Sequence, residues 1–282
     1  EATLHETWAT GEDLLDDLKG LMRAQDDPFG STSIFAQYRV FRLAREAGIK
    51  VMLDGQGADE MLGGYLSYTG IRVASLMRQW HVIQAMKLLR TANRLPGRGG
   101  DRIPGRASQV AYAANFLLPK WTKDPLRRLA GYKPAWPDWI QATWFRERDM
   151  GPARPYEPEV RNGNLLNAQL RLTLEETSLP NLLRYEDRNS MAHGVESRVP
   201  FLDPPLVRFA LGLPEAWIID QHAVTKSIFR DAMRGLVPNA VLDRMDKIGF
   251  STPEFDWLLR LDPWITRTLD SDVARSIPAI DP

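Results

Sequence analysis

The sequence predicts an α/β protein in which a parallel sheet flanked by helices is followed by a large helical C-terminal part. Apolar residues recur at helical spacing from Ile34 to Ala44, and Gly48 stands where a helix-ending glycine is expected. Ile49–Leu53 is a short apolar stretch, interrupted only by Lys50, that suits a buried parallel strand. A glycine-containing loop and a second helical pattern follow. Ligands of such doubly wound sheets bind beyond the carboxyl ends of the strands.

The remaining chain reads as mostly helical from about residue 71 onward. Asp203 and Pro204 predict an N-cap and a first-turn proline. Ser251 and Glu254 lie at capping-box spacing and predict another helix start. Arg94–Arg106, RLPGRGGDRIPGR, breaks the helical pattern. A flexible surface connection is the favoured interpretation of this stretch over a polyphosphate-binding lid.

Composition excludes several classes of chemistry. The chain has no cysteine, so disulfides, thiolate catalysis and cysteine-bound metals are excluded. Its 36 basic residues balance 36 acidic residues, which argues against a broad nucleic-acid-binding surface. No apolar run approaches the roughly 18 residues that cross a bilayer, and no secretory signal is visible. We therefore expect no nucleic-acid partner, no membrane association and a cytoplasmic location.

The stretch LDGQGADEML at residues 53–62 is the clearest functional signal. It lies where a strand gives way to a helix, a junction that presents backbone N–H groups to an anion. Gly55 and Gly57 allow positive φ angles and a close approach of a ligand. Its three carboxylates would repel a bare phosphate, but Mg²⁺ prefers such oxygen ligands, so Asp59 is a candidate ligand of phosphate-bound Mg²⁺. The alternative is that Asp54 and Asp59 merely cap and stabilise a helix.

A second candidate is the segment LLRYEDRNSMAHGVESRVPFLD at residues 182–203. His193 is either an acid–base group or a residue with a structural hydrogen bond. Glu196 and Arg198 either form a buried pair that orients a site or satisfy each other's charge. Charged residues also crowd one helical turn, as on a solvated helix face; they are Arg184, Glu186, Asp187 and Arg188.

The third candidate is RMDKIGF at residues 244–250. Its cations, Arg244 and Lys247, precede a glycine, an aromatic residue and a predicted helix start. Such cations would neutralise a leaving phosphate group, because phosphoryl and nucleotidyl chemistry rests mainly on electrostatic stabilisation. Taken in isolation, a pair of surface cations is an equally good interpretation.

Together these segments resemble the synthetase domain of glutamine-dependent asparagine synthetases. The similar stretches are Val51–Tyr65 (VMLDGQGADEMLGGY), the segment at 182–203, and Thr225–Pro253 (TKSIFRDAMRGLVPNAVLDRMDKIGFSTP). They occur in the same order as in the family, with a variable helical section between the first two. Three long motifs in order are far more specific than one glycine loop.

The resemblance implies a fold like that of the adenine nucleotide α-hydrolases (ATP pyrophosphatases). The whole chain then forms the C-terminal part of one synthetase domain. Residues 1–78 would be its nucleotide-binding α/β portion, 79–170 a variable helical section, and 171–282 a helical portion that completes the site.

The resemblance also implies an activity. In the family, ATP adenylates the aspartate side chain to β-aspartyl-AMP with release of pyrophosphate, and ammonia from glutamine then attacks to give asparagine. By motif, Asp59 falls on a Mg²⁺ ligand, Lys247 on a catalytic lysine associated with pyrophosphate, and Gln56 on a catalytic position. The nucleotide-binding positions are Asp54, Gly55, Gly57 and Arg244. We therefore expect Asp59 and Lys247 to meet at one end of the sheet.

The sequence departs from the family pattern in two respects. The pyrophosphate loop SGGxDS and the glutaminase domain with its catalytic first cysteine are missing. We therefore expect the C-terminal part of a longer enzyme, which alone binds ATP poorly and turns over little or nothing. Secondly, Gln56 stands where asparagine synthetases usually carry a glutamate that is important for adenylation. Glutamine keeps hydrogen bonding but lacks charge and basicity. Glu186 or Asp187 is a candidate replacement.

Two alternatives stay open. The first is a related ATP-dependent amidotransferase or amide-forming ligase that acts on a β-lactam precursor, a peptide or a polymer. The second is a non-catalytic binding module that keeps the fold. The oligomeric state is also open, with a homodimer among the possibilities.

Overall fold

Helices dominate the architecture. The computed structural model describes residues 2–92, 136–137, 139–151, 157–160, 163–245 and 251–281. Within these ranges, no helix has both the length and the apolar character needed to cross a bilayer. The helices are α1 (Gly11–Gln25), α2 (Ser33–Glu46), α3 (Ala58–Leu62), α4 (Ser67–Arg78), α5 (Val82–Ala92), α6 (Ala142–Arg146), α7 (Leu165–Leu172), α8 (Leu179–Ala192), α9 (Pro204–Leu211), α10 (Glu215–Ile218), α11 (Ser227–Ala232), α12 (Asn239–Leu242), α13 (Glu254–Leu269) and α14 (Asp272–Arg275).

Two short parallel strands form the sheet of the described residues. β1 (Val51–Leu53) pairs with β2 (Glu196–Arg198), with Met52 opposite Ser197. A π-helical turn (Thr173–Thr177) precedes α8, and a 3₁₀ turn (Pro200–Leu202) follows β2. This arrangement confirms an α/β chain with a parallel sheet, whereas the adenine nucleotide α-hydrolase fold stays a prediction.

The strand after Gly48 is less buried than its sequence predicts. Gly48 has a φ of 75° just beyond α2, as expected for a helix-ending glycine. Leu53, however, is 73% exposed, and Val51 is also exposed. Met52 packs against a buried cluster of Phe41, Ala44 and Val195, so only one face of the strand is covered. The prediction of a buried strand is therefore correct for one face only and wrong for the face of Val51 and Leu53.

The largest hydrophobic core lies among α4, α5, α7 and α10. Its central side chains include Ile71, Leu88, Leu166 and Ile218, all buried. One polar residue, Glu215 at the start of α10, joins three of these helices. These contacts are an ion pair with Arg72, a hydrogen bond from the Ser75 hydroxyl at 2.7 Å, and a hydrogen bond from the Leu166 N–H at 2.9 Å.

A second core joins α1, α2 and α13 through Leu21, Phe35 and Trp257, among others. Beside it, α8 is attached to α1 and α2 by buried amides. Gln25 donates to the Asn189 side-chain oxygen at 2.7 Å, and Asn189 donates to the Gln37 oxygen at 2.9 Å. These directional bonds fix the position of α8, the helix that leads into β2.

Capping geometry differs between the two helix starts that the sequence predicts, at Asp203 and near Glu254. Asp203 caps α9 by accepting from the Leu206 N–H at 3.4 Å, which confirms that start. α13 does begin at Glu254, but the expected capping box is absent. The Glu254 carboxylate instead accepts the Thr32 N–H at 2.6 Å, at the start of α2. This bond lowers the pKa of Glu254.

We expect Glu215→Ala to destabilise the fold strongly. Arg72 is largely buried, and burial lowers the pKa of its guanidinium while Glu215 opposes that effect. Removing Glu215 leaves this charge without its partner in the core, which costs about 3–5 kcal/mol of the free energy of unfolding. Urea denaturation measures the change. Glu147→Ala is the control, because Glu147 pairs with Arg148 in solvent, and its effect should stay within about 0.5 kcal/mol.

Candidate active site

The β1–β2 pairing brings the two segments after the strands side by side. The Asp54 N–H donates to the Arg198 carbonyl oxygen at 2.8 Å, which extends the pairing into the loop at residues 54–57. Leu202, just after β2, lies against Gly57. Parallel strands end at the same edge of a sheet. The segment at residues 53–62 and the segment at residues 182–203 therefore meet there.

The loop itself is held by glycine geometry and one local hydrogen bond. Asp54 accepts the Gln56 N–H through its Oδ1 at 3.1 Å. Gly57 has a φ of 86°, and a Cβ at this position would come within 2.2 Å of a Leu202 methyl group. A Cβ on Gly55 would meet no heavy atom within 4 Å. Gly57 is therefore required by the fold, whereas Gly55 leaves open space beside the backbone.

Asp59 forms an ion pair that the sequence did not predict. Its Oδ1 lies 2.8 Å from Nζ of Lys226. Lys226 has a φ of 55°, in the left-handed region, immediately before α11. A Cβ on Gly64 would overlap both side chains, so this glycine allows the pair to lie against the backbone. The only advance signal for Lys226 was its position in the third similar stretch, 225–253.

Glu60 points into the protein, although the sequence grouped it with the site carboxylates. It is 1% exposed, and its carboxylate accepts hydrogen bonds from the hydroxyls of Tyr65 and Ser178. Burial, followed by Glu60, raises the pKa of the Tyr65 hydroxyl. Glu60 therefore stabilises the chain next to the loop through buried hydrogen bonds. Its carboxylate does not face the sheet edge, where an anion would bind.

Helix α8 places Glu186 at the site, whereas the side chains of Arg184 and Asp187 lie elsewhere. Glu186 is buried, and its Oε1 accepts a hydrogen bond from Ser197 of β2. Asp187 is exposed. Arg184 donates to Asp27 at 2.7 Å, far from the loop in sequence and on the α1 side. Of the two candidate replacement carboxylates, Glu186 is the one beside the loop.

Glu196 and Arg198 do not form a buried pair. Arg198 Nε lies 2.7 Å from Glu196 Oε1, but both side chains are more than half exposed. The strand pleat turns both residues to the uncovered face of the sheet, because positions 196 and 198 lie on the same side. The interpretation that they satisfy each other's charge is the one that the structure supports.

Arg230 connects the start of the third candidate segment, residues 244–250, to the chain next to Lys226. Its Nε donates to the Thr225 carbonyl at 2.9 Å, and its Nη1 donates to the Arg244 carbonyl at 2.8 Å. The chain around Arg244 is thereby held next to Lys226. Lys247 and the Arg94–Arg106 stretch lie outside the described residues, so the meeting of Asp59 with Lys247 stays a prediction.

Asp59 is the candidate metal ligand at the sheet edge. Within the described ranges, no group of three or more His, Asp or Glu side chains could hold a metal ion. Asp59 is a single carboxylate that already faces a cation. Mg²⁺ commonly uses one or two carboxylates together with substrate phosphates. Asp59 therefore fits the role of a single carboxylate ligand for Mg²⁺ that a nucleotide brings.

Comparison with known proteins gives one family. The family model described as asparagine synthase matches residues 1–282. The chain belongs to the asparagine synthase family. It is 28% identical over 262 residues to glutamine-hydrolyzing asparagine synthetase 1 of Bacillus subtilis strain 168, covering 90% of this chain and 39% of that protein.

Two further relatives are similar over most of this chain. A putative glutamine-hydrolyzing asparagine synthetase of Mycobacterium bovis is 30% identical over 261 residues, covering 88% of this chain and 37% of that protein. A protein named amidase chry2 from Gibberella zeae is 24% identical over 230 residues, covering 74% of this chain and 33% of that protein. This asparagine synthase family chain thus spans less than two fifths of the length of these curated relatives.

His193 has a packing role in this structure. Its ring lies 4.4 Å from the Tyr38 ring, centroid to centroid, and its Nε2 is buried with no hydrogen-bond partner among the described residues. Burial, followed by the charges of Arg42 and Arg45, lowers the pKa of His193. Burial therefore favours the neutral imidazole, and the structural hydrogen bond expected from the sequence is not observed at Nε2 among the described residues. The acid–base role of His193 stays a prediction.

We expect His193 to make stability fall with acid. Its lowered pKa means that the unfolded chain binds the proton first. The stabilisation is complete above the unfolded pKa of about 6.5 and is lost as the pH falls toward the folded value. Unfolding free energies at pH 7.5 and 5.5 should differ more in the wild type than in His193→Gln. An equal difference in both proteins would contradict this assignment.

Gly57→Ala and Gly55→Ala form a matched pair. Gly57→Ala forces a side chain into the left-handed region, at about 1–2 kcal/mol, and displaces Leu202 as well. Gly55→Ala meets no neighbour, so the unfolding free energy should change by less than about 0.5 kcal/mol. Denaturant unfolding measures both. Equal destabilisation by the two variants would show that the loop geometry is not as described.

Proposed function

We propose that this chain is the synthetase part of an ATP-dependent, asparagine-synthetase-type ligase. The observation that carries the proposal is the clustering of the loop at residues 54–57, Asp59 and Lys226 at one sheet edge in a member of this family. The reaction adenylates the side-chain carboxylate of aspartate, and ammonia derived from glutamine then forms the amide. Glutamine hydrolysis would belong to a part of the whole protein outside this chain.

The residues at the sheet edge have different proposed roles, which follow from their charge. Gly55 leaves room for the nucleotide beside the backbone, with Asp54, Gly57 and Arg244 as the other nucleotide-binding positions. Cations that face the leaving pyrophosphate lower the energy of the transition state, because charge builds on its oxygens. Lys226 and Lys247 supply that charge in this proposal. When bound, Mg²⁺ would neutralise phosphate charge, and Asp59 is the residue that would contact it.

The ion pair also explains how the site can stay assembled before the substrate binds. Lys226 balances Asp59, and this compensation stabilises a carboxylate that is mostly withdrawn from water. When a nucleotide with Mg²⁺ is bound, Asp59 would contact the metal ion and Lys226 would face the phosphates. Neither charge is left without a partner of opposite charge.

Two further properties of the protein stay predictions, namely a cytoplasmic location and a homodimeric state.

The test uses the whole protein that contains this chain, with MgATP, L-aspartate and glutamine. AMP, pyrophosphate and asparagine should form in equal amounts. Asp59→Asn or Lys226→Met should lower kcat about 100-fold, the effect of removing one group that stabilises developing charge. Asp27→Asn, an exposed carboxylate paired with Arg184, is the control and should stay near wild type. A well-folded wild type that releases no pyrophosphate with any carboxylate would instead indicate a binding module.

A second candidate is the same adenylating chemistry with another acceptor. Gln56 favours it, because this neutral side chain lines a cavity of about 250 Å³ at the site. A panel of carboxylic acids, including peptides and β-amino acids, distinguishes the two candidates by ATP-dependent pyrophosphate release. Strict dependence on aspartate would rule the second one out.

A further inference from the structure

Glu186 is a buried carboxylate that the proposed reaction leaves without a role. It is 2% exposed, and its Oε1 accepts the Ser197 hydroxyl. Its Oε2 is also buried and has no partner at normal hydrogen-bond geometry among the described residues. A buried carboxylate oxygen is costly without a donor, so an adjacent donor that can reach it has a strong reason to do so.

Gln56 is the neighbouring side chain that can donate, because it lines a cavity together with Leu182 and Tyr185 of α8, the helix that carries Glu186. Burial raises the pKa of Glu186 and the charge of Asp54 raises it further, whereas Ser197 and the Gln56 side chain lower it by hydrogen bonding. The effect of Gln56 favours the charged form of Glu186, so its carboxamide is the candidate donor to Oε2. A carboxylate only accepts, so the NH₂ end of the carboxamide must face Glu186.

The other end of the carboxamide then has a defined direction. With its NH₂ group on Glu186, the Gln56 carbonyl oxygen is left for a further partner. Gln56 also lines the cavity of about 250 Å³, whose polar residues include Ser31, Ser33, Gln37 and Tyr185. A carbonyl oxygen accepts hydrogen bonds and attracts cations. Polarisation by the carboxylate behind the carboxamide strengthens both tendencies.

We propose that Glu186 is a positioning residue that holds Gln56 with its carbonyl oxygen toward this cavity, which therefore binds a substrate group rich in N–H donors. The chemistry is that of an ammonium group or of ammonia. In the proposed reaction, the α-ammonium of the acceptor and the attacking ammonia are its two sources. The substrate assignment rests on the proposed function, whereas the pairing of Glu186 with Gln56 does not.

The kinetic test uses the whole protein with MgATP, L-aspartate and ammonium chloride. Glu186→Gln should raise the KM for L-aspartate or for ammonium roughly 10-fold, the effect of losing one charge-assisted hydrogen bond, with the KM for ATP changed less than about twofold. The substrate whose KM rises identifies the source. Glu186→Asp should restore part of the loss. Glu175→Gln, at an exposed position just before α8, is the control. An equal rise in the KM for ATP, or no rise for either substrate, would overturn the proposal.

A double-mutant cycle tests whether Glu186 acts through Gln56. Gln56→Ala removes the carboxamide, so adding Glu186→Gln to it should cause no further rise in KM. A general structural role of Glu186 predicts that the two effects multiply. Multiplication would therefore count against a positioning role even if each single variant is impaired.

A third measurement works without turnover. In the whole protein labelled with ¹⁵N-glutamine, the Gln56 carboxamide signal is identified by its loss in Gln56→Ala. It should exchange slowly with solvent in the wild type and faster in Glu186→Gln, and should shift when ammonium chloride or L-aspartate is added. Equal exchange in both proteins, or no shift, refutes this inference alone. A protected, responsive signal in a protein that releases no pyrophosphate refutes the proposed function alone.

Discussion

The pairing of β1 with β2 is the constraint on which the candidate site depends. The two strands are three residues long and lie far apart in the sequence. Their pairing places the loop at residues 54–57 beside Leu202, and it brings the Ser197 hydroxyl within hydrogen-bonding distance of Glu186. So few backbone hydrogen bonds do not compensate the entropy of closing so long a loop. The buried amides of Gln25, Asn189 and Gln37 and the apolar cluster around Met52 supply the remaining stabilisation. The position of the site therefore depends on the packing of α1, α2 and α8.

Features with local causes were predictable from the sequence, and features with distant causes were not. The helix end at Gly48 and the Asp203 cap depend on a few adjacent residues, and both were predicted. The Glu254 spacing suggested a cap on its own helix, but the carboxylate serves Thr32 of α2. No local pattern distinguishes these outcomes, because the competing N–H belongs to a helix that tertiary packing brings close. The Lys226 partner of Asp59 escaped prediction for the same reason.

The three carboxylates of the loop motif show why residue type alone does not define a site. Asp54 binds the backbone N–H of Gln56, Asp59 pairs with Lys226, and Glu60 is buried under Tyr65 and Ser178. From the sequence, all three carboxylates would repel a phosphate. In the structure, Asp59 is compensated and Glu60 is turned inward, so the repulsion at the sheet edge is much weaker. An anion can then approach the loop more easily than the sequence suggests.

The glutamine at position 56 is consistent with its surroundings. A glutamate there would bring a third carboxylate next to Asp54 and the buried Glu186, and like charges at close range repel one another. Gln56 removes this conflict, since its NH₂ group is attracted by the carboxylate that a glutamate would repel. In the proposed arrangement, the negative charge lies behind Gln56, on Glu186, and acts on the cavity through a neutral carboxamide.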